Sequence, residues 1–205
     1  MKYVIVNGWL ELSEADGVPF DVLKSRLEVP NPEYTSAMRM GFSTAGMHRF
    51  DPLYEEGHDA VGDKVLYVPR ALVTKYGRGK KVVDRTSSGL PVKFNLKVQL
   101  GPTESRSEDQ TSFVNALVDA LQKNGGAIGQ AAPGYGKTLC SLAIAARLGV
   151  TTAVLVHKGF LMDQWVERIT EALDVTPDEI GRVQQGVCDF KGKKIVLIMA
   201  RYLLS

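Results

Sequence analysis

Ala127-Ile128-Gly129-Gln130-Ala131-Ala132-Pro133-Gly134-Tyr135-Gly136-Lys137-Thr138 is the stretch whose reading decides the fold of this chain. The short run from Ala127 to Ala131 is predicted as a strand that enters a Gly-rich turn and then a helix from Lys137 to Leu148. Gly134 and Gly136 remove Cβ atoms where successive backbone N–H groups must converge on one anion. The helix adds its amino-terminal dipole to the same spot. Such a device holds phosphates. Lys137 is placed to reach the terminal phosphates of a nucleoside triphosphate, and the Thr138 hydroxyl to ligate magnesium. Pro133, Gly134, Tyr135 and Gly136 complete the cradle, and ATP and Mg2+ are the implied cofactors. The pattern G-x-x-x-x-G-K-[ST] is met except at its first position, where Ala131 stands. The alternative is a chance Gly-rich strand-to-helix turn.

Working outward, Ser107 to Lys123 has apolar residues at Phe113, Leu117, Val118 and Leu121, a helical period. Beyond the loop, Ala153 to Val156 is predicted as strand, Phe160 to Leu173 as helix and Lys194 to Met199 as strand. This alternation implies an α/β unit with a parallel sheet and crossover helices. The first hundred residues read differently, as a small α+β module. Lys2 to Val6 and Gly8 to Leu12 are predicted strands around an Asn7-Gly8 hairpin turn. Pro19 to Leu27 is a short helix, and Asn31-Pro32 opens another that runs to Met40 and ends at Gly41. Lys64 to Val68 is strand, Pro69 to Tyr76 a short helix and Val92 to Val98 a strand. The joint is expected between Leu100 and Glu108, which gives domains 1–100 and 101–205.

Composition bounds the function class. The chain has 205 residues, 44% hydrophobic and 23% charged, the profile of a globular protein rather than a disordered one. No stretch approaches the roughly 20 apolar residues that span a bilayer. Cys140 and Cys188 lie outside any metal-ligand spacing and are expected as small core residues, with a reducing cytosol as the default. Net charge is only +2, yet Lys64 to Lys97 holds nine basic residues against Asp84, a local +8 that leaves the rest at −6. Such asymmetry favours one polyanion-facing surface.

From Arg106 to Ser205 the sequence resembles the first RecA-like domain of superfamily 2 DNA helicases and translocases, above all the XPB and UvsW-like groups with their phage branch-migration members. Three ordered pieces carry the likeness. Arg106-Ser107-Glu108-Asp109-Gln110 sits where the family has R-x-x-Q; by resemblance Gln110 reads the adenine edge and Arg106 supports the same pocket. Leu161, Gln164 and Trp165 match the family's V-P-T-x-x-L-x-x-Q-W, with His157-Lys158 in place of Pro-Thr; Lys158 is the candidate phosphate contact and Trp165 a core residue. Lys194 to Ser205 resembles the family's I-V-I-A-T-V-Q-S-L strand and turn, with Met199 in place of threonine. Asn31 to Thr44 and Tyr67 to Arg70 resemble the accessory domain ahead of the motor in some of these helicases.

Lys75-Tyr76-Gly77-Arg78-Gly79-Lys80-Lys81 combines charge, glycine and one aromatic. Lys75, Arg78, Lys80 and Lys81 are candidates for gripping the backbone of duplex or branched DNA; the alternative is a solvated loop. No D-E-x-[DH] element follows the last apolar strand and no second motor domain is present. The resemblance therefore implies the amino-terminal portion of a longer ATP-dependent DNA helicase or translocase, inactive by itself. A partial sheet of this kind is expected to leave apolar surface uncovered. Competing readings are a DNA-binding module without catalysis, the motor of a restriction-type translocase, and a P-loop kinase. A small-molecule kinase would have no reason to carry the Leu161, Gln164, Trp165 spacing. A cytoplasmic setting, in a bacterial or phage-infected cell, is the corresponding expectation.

Overall fold

The computed structural model describes residues 3–6, 8–103, 107 and 109–202. The chain divides into two compact units, Met1–Ser87 and Ser88–Ser205.

The first unit is built on a five-stranded sheet. Its strands are β1 (Tyr3–Val6), β2 (Trp9–Ser13), β5 (Glu55–His58), β6 (Lys64–Pro69) and β7 (Lys81–Asp84), in the order β5-β6-β2-β1-β7. Only β1 and β7 run parallel. Along β2, Leu10 and Leu12 alternate with more exposed neighbours, so one face of the strand meets the core with Leu66 and Val68 from β6 and Leu23 from α1 (Phe20–Arg26). Val6 pairs with Leu10, so three residues rather than the expected two separate the paired positions; Asn7 itself lies outside the described residues. That register is the one that puts Leu10 and Leu12 inward. A two-stranded ribbon, β3 (Glu28–Pro30) with β4 (Phe50–Pro52), flanks α2 (Pro32–Met40). The predicted cap is present: Asn31 Oδ1 accepts from the Glu33 and Tyr34 amides at 2.8 and 3.2 Å, and Gly41 closes the helix at φ 73°. The predicted helix of residues 69–76 is a 3-10 turn at Arg70–Leu72 followed by α3 (Val73–Tyr76).

The second unit is α/β. Its helices are α4 (Gln110–Asn124), α5 (Lys137–Leu148) and α6 (Gly159–Ala172). Its strands are β8 (Thr152–Val156), β9 (Ile180–Gln184), β10 (Val187–Asp189) and β11 (Ile195–Met199), in the order β10-β9-β11-β8. β11 runs parallel to both β8 and β9, and β10 closes the edge antiparallel. Ile195, Val196, Leu197 and Met199 are all buried, the continuous apolar run of a central parallel strand covered on both faces. Leu142 of α5 and Met162 and Ile169 of α6 pack into the same core.

Four expectations are corrected here. Val92 to Val98 is not a sheet strand. It is an extended strap bonded to the chain just after α5 and α6: the Val92 amide donates to the Gly149 carbonyl at 3.0 Å and the Lys97 amide to the Ala172 carbonyl at 2.7 Å. Phe94 is buried in the motor-side core, so the alternating pattern is satisfied by packing without a strand partner. This strap moves the boundary between the compact units to Ser87–Ser88, ahead of the predicted joint. Ala127 to Ala131 is likewise not a strand: Ile128 is 98% exposed, and no strand pairs with the segment among the described residues. Cys140 is buried as expected, whereas Cys188 is exposed on the edge strand β10. The β9–β10 hairpin was not predicted.

Candidate nucleotide site

The phosphate loop is built by two glycines and a helix. Gly134 and Gly136 have φ of 81° and 87°, the left-handed region that side chains disfavour. Gly136 is also the residue ahead of α5, and no side chain caps that helix. Its first intrahelical bond is Cys140 N to Gly136 O at 3.0 Å, so the amides of the first turn lack helix acceptors. An uncapped helix start behind two left-handed glycines matches the chemistry of a bound anion. α5 ends at Gly149, where the chain turns into β8, so its amino end lies toward the carboxyl edge of the sheet.

Lys137 arches back over the loop. Its Nζ donates to the carbonyls of Ala131 and Ala132 at 3.0 and 2.8 Å. The ammonium is thus parked at the loop's entry by two carbonyl dipoles. A cavity of about 480 Å³ is lined by Gly134, Gly136, Lys137 and Thr138, with Arg168 and Glu171 of α6 also in its wall. A second cavity of about 340 Å³ is lined by Thr138, Leu161, Gln164, Trp165 and Arg168. The fold therefore brings the Leu161, Gln164, Trp165 motif beside the phosphate loop through Thr138. Trp165 is half-buried against the core, as expected. Arg168 lines both cavities and pairs with Glu171 at 2.9 Å; only its helical spacing from Gln164 could have signalled it.

Gln110 is placed differently from its expected position at an adenine edge. It is fully buried at the start of α4. Its Oε1 accepts from the Gly101 amide at 3.1 Å and its Nε2 donates to the Tyr135 carbonyl at 2.6 Å. Tyr135 is tied further: its hydroxyl donates to the Asp109 carbonyl at 2.9 Å, and its ring meets Phe113 edge-on at 5.3 Å between centroids. Asp109 caps α4 by accepting from the Ser112 amide at 2.9 Å, and that hydrogen bond holds its carboxyl below the usual carboxylate range. Pro133 is exposed on the loop, and Arg106 lies outside the described residues.

The nucleic-acid candidates fall in both units. Lys75 ends α3 with its Nζ 5.3 Å from the centre of the Tyr76 ring; Arg78 and Lys81 are exposed and Lys80 is half-buried. Gly79, at φ 72°, turns the chain into β7, an edge strand of the first sheet. Lys158 is exposed immediately ahead of α6, at the carboxyl end of β8. Among the described residues no cluster of three His, Cys, Asp or Glu could hold a metal by itself. Magnesium here would be held through Thr138 and the phosphates it accompanies. No described helix is long and apolar enough to cross a membrane.

Residues 104–204 match the family model described as "Type III restriction enzyme, res subunit". The second unit is a superfamily 2 helicase motor segment. A curated relative from Acanthamoeba polyphaga mimivirus, named "Putative ATP-dependent RNA helicase", is 25% identical over 146 residues, which cover 71% of this chain. The chain spans 26% of that relative's length. The crystal structure of the UvsW helicase from Bacteriophage T4 superposes with a TM-score of 0.53 and 13% identity, covering all of this chain and 77% of that one. At that identity the likeness is one of fold, and it extends over the α+β unit as well as the helicase segment.

Proposed function

We propose that this chain carries the ATP- and Mg2+-binding front of an ATP-dependent DNA helicase or translocase. One observation carries the reading: two left-handed glycines feed an uncapped helix whose first residues, Lys137 and Thr138, line a cavity of about 480 Å³. Phosphoryl transfer relies on positioning and charge neutralisation. In this reading the loop amides grip the triphosphate, and Lys137 exchanges its two carbonyl partners for phosphate oxygens. Thr138 takes the magnesium. ATP and Mg2+ supply the reacting phosphoryl group and its charge neutralisation; the residues of this chain bind and orient them.

Hydrolysis needs a water-activating carboxylate and an arginine from a second motor domain, groups to which none of the residues above is assigned. The 205 residues alone are therefore proposed to bind nucleotide and turn it over barely or not at all. Lys75, Arg78, Lys80 and Lys81 of the first unit, and Lys158 of the second, are proposed to contact the nucleic-acid backbone. DNA, including branched DNA, is the preferred polymer because the fold likeness to the phage T4 helicase spans both units. The name of the mimivirus relative favours RNA as a second reading, and the family description a restriction-type motor.

Titration with Mg-ATP, followed by binding of duplex DNA, forked DNA and duplex RNA at fixed salt, tests these together. Binding of ATP that disappears in Lys137→Ala while DNA affinity stays is the expected result. Tighter binding of duplex RNA than of either DNA would replace the DNA assignment.

A further inference from the structure

Among the described residues, Gln110 is the buried polar side chain of the molecule. The orientation of its amide follows from its partners. A backbone N–H such as that of Gly101 can only donate and a carbonyl such as that of Tyr135 can only accept, so Oε1 faces the first and Nε2 the second. Both ends are turned into the protein. Addressing a base would take an acceptor from Gly101 and a donor from Tyr135, and each buried bond left unmade disfavours that state by about tenfold or more.

The same contacts make a brace. Tyr135 stands between Gly134 and Gly136, and three links run from it to the first turn of α4: its carbonyl to Gln110, its hydroxyl to the Asp109 carbonyl, and its ring to Phe113. Gly136 lies so close that a Cβ there would collide with Gln110 Nε2. The loop's curvature is thus set from behind by a residue that does not reach the nucleotide's side of it.

We propose that Gln110 is a positioning residue for the phosphate loop, and that this site selects for the triphosphate and not for the base, taking ATP and GTP alike. The proposal rests on the triphosphate reading of the loop given above. Buried contacts of Gln110 shape the nest; the N–H groups, Lys137 and Thr138 recognise phosphate and its metal, which are the same in every nucleoside triphosphate.

Calorimetric titration of the 205-residue chain with Mg-ATP, Mg-GTP and Mg-tripolyphosphate tests it. The expected result is that ATP and GTP bind within about threefold of each other, and that Gln110→Glu weakens all three probes by a common factor of about ten. Circular dichroism reports whether that variant folds; if it does not, the wild-type ratio of ATP to GTP still decides. A preference for ATP above about tenfold, or a Gln110→Glu effect confined to ATP with tripolyphosphate unchanged, overturns the proposal. A different failure marks the underlying reading: no probe binds, or Lys137→Ala leaves tripolyphosphate binding intact, and then the triphosphate site falls together with the brace.

Discussion

Tyr135-Gly136-Lys137 and Tyr76-Gly77-Arg78 are two short runs of nearly the same chemistry: an aromatic, a glycine and a cation. Their surroundings make them opposites. The first opens α5, a helix of 12 residues, so its glycine and lysine sit at the positive end of the backbone dipoles with unbonded amides exposed. The second closes α3, a helix of 4 residues, where Gly77 N donates to Val73 O at 2.8 Å and the cations lie at a carbonyl end. Tyr135 is anchored to α4 by its carbonyl, hydroxyl and ring, whereas beside Tyr76 stands the Lys75 ammonium. The comparison teaches that a glycine-rich basic turn becomes an anion nest through the helix that follows it and the brace behind it. Without those, its cations offer only mobile charge for a polyelectrolyte.

The largest expected effect falls on the nest. Lys137→Ala should lower tripolyphosphate affinity by about a hundredfold, since charged hydrogen bonds are worth roughly 1.5–3 kcal/mol. Replacing Lys75, Arg78, Lys80 and Lys81 together with glutamine should leave that affinity alone. Calorimetry on both proteins would erase the contrast if the two effects came out equal.

The second effect lies on the other turn. If all four cations contact phosphates of duplex DNA, the quadruple glutamine protein should lose about 3–4 from the slope of log affinity against log salt. Fluorescence anisotropy at several salt concentrations measures it, and an unchanged slope would remove the 75–81 turn from the interface.

Smaller again is a pair of glycine substitutions. Gly136→Ala meets both a left-handed φ and Gln110 Nε2, and should destabilise the second unit by about 2–3 kcal/mol. Gly79→Ala meets the same φ in open space and should cost about 1 kcal/mol. Denaturant unfolding distinguishes them; equal losses would mean that the brace adds nothing to the conformational term.

The smallest effect is a pH-dependent loosening away from both turns. The Asn95 amide and side chain hydrogen-bond Asp174 and hold its carboxyl below the usual carboxylate range. A depressed folded value means that the stabilisation is complete above the unfolded value of about 3.9 and is lost as pH falls through the folded one. Protection of the Asn95 amide against hydrogen exchange should therefore hold at pH 5 to 6 and drop below about pH 4. Protection that stays flat into strong acid would show that the strap depends on Phe94 packing alone.

Much of the site was legible because it is local. Gly134, Gly136, Lys137 and Thr138 are consecutive or nearly so, and their geometry follows from glycine's freedom and the helix start. Helix α5 runs over the predicted residues, and α6 is displaced by one residue at each end. What escaped was non-local. Gln110 looked like a solvated helix start beside an acidic cap, and only the approach of Gly101 and Tyr135, 9 and 25 residues away, buries it. Val92 to Val98 has strand alternation, yet its partners are Gly149 and Ala172. Ala127 to Ala131 has the composition of a strand and lacks a strand neighbour among the described residues.

By itself, then, the sequence determined the identity and local shape of the phosphate loop, the helices around it and the segregation of positive charge between Lys64 and Lys97. Backbone conformation at glycine, capping and helical period act over a few residues and need no distant partner. Tertiary structure alone decided which segments became strands, where the two units part, and that Gln110 faces inward to the loop. Strand pairing and burial are relations between residues far apart in the chain, and a side chain's role is set by whichever donor or acceptor folding brings beside it.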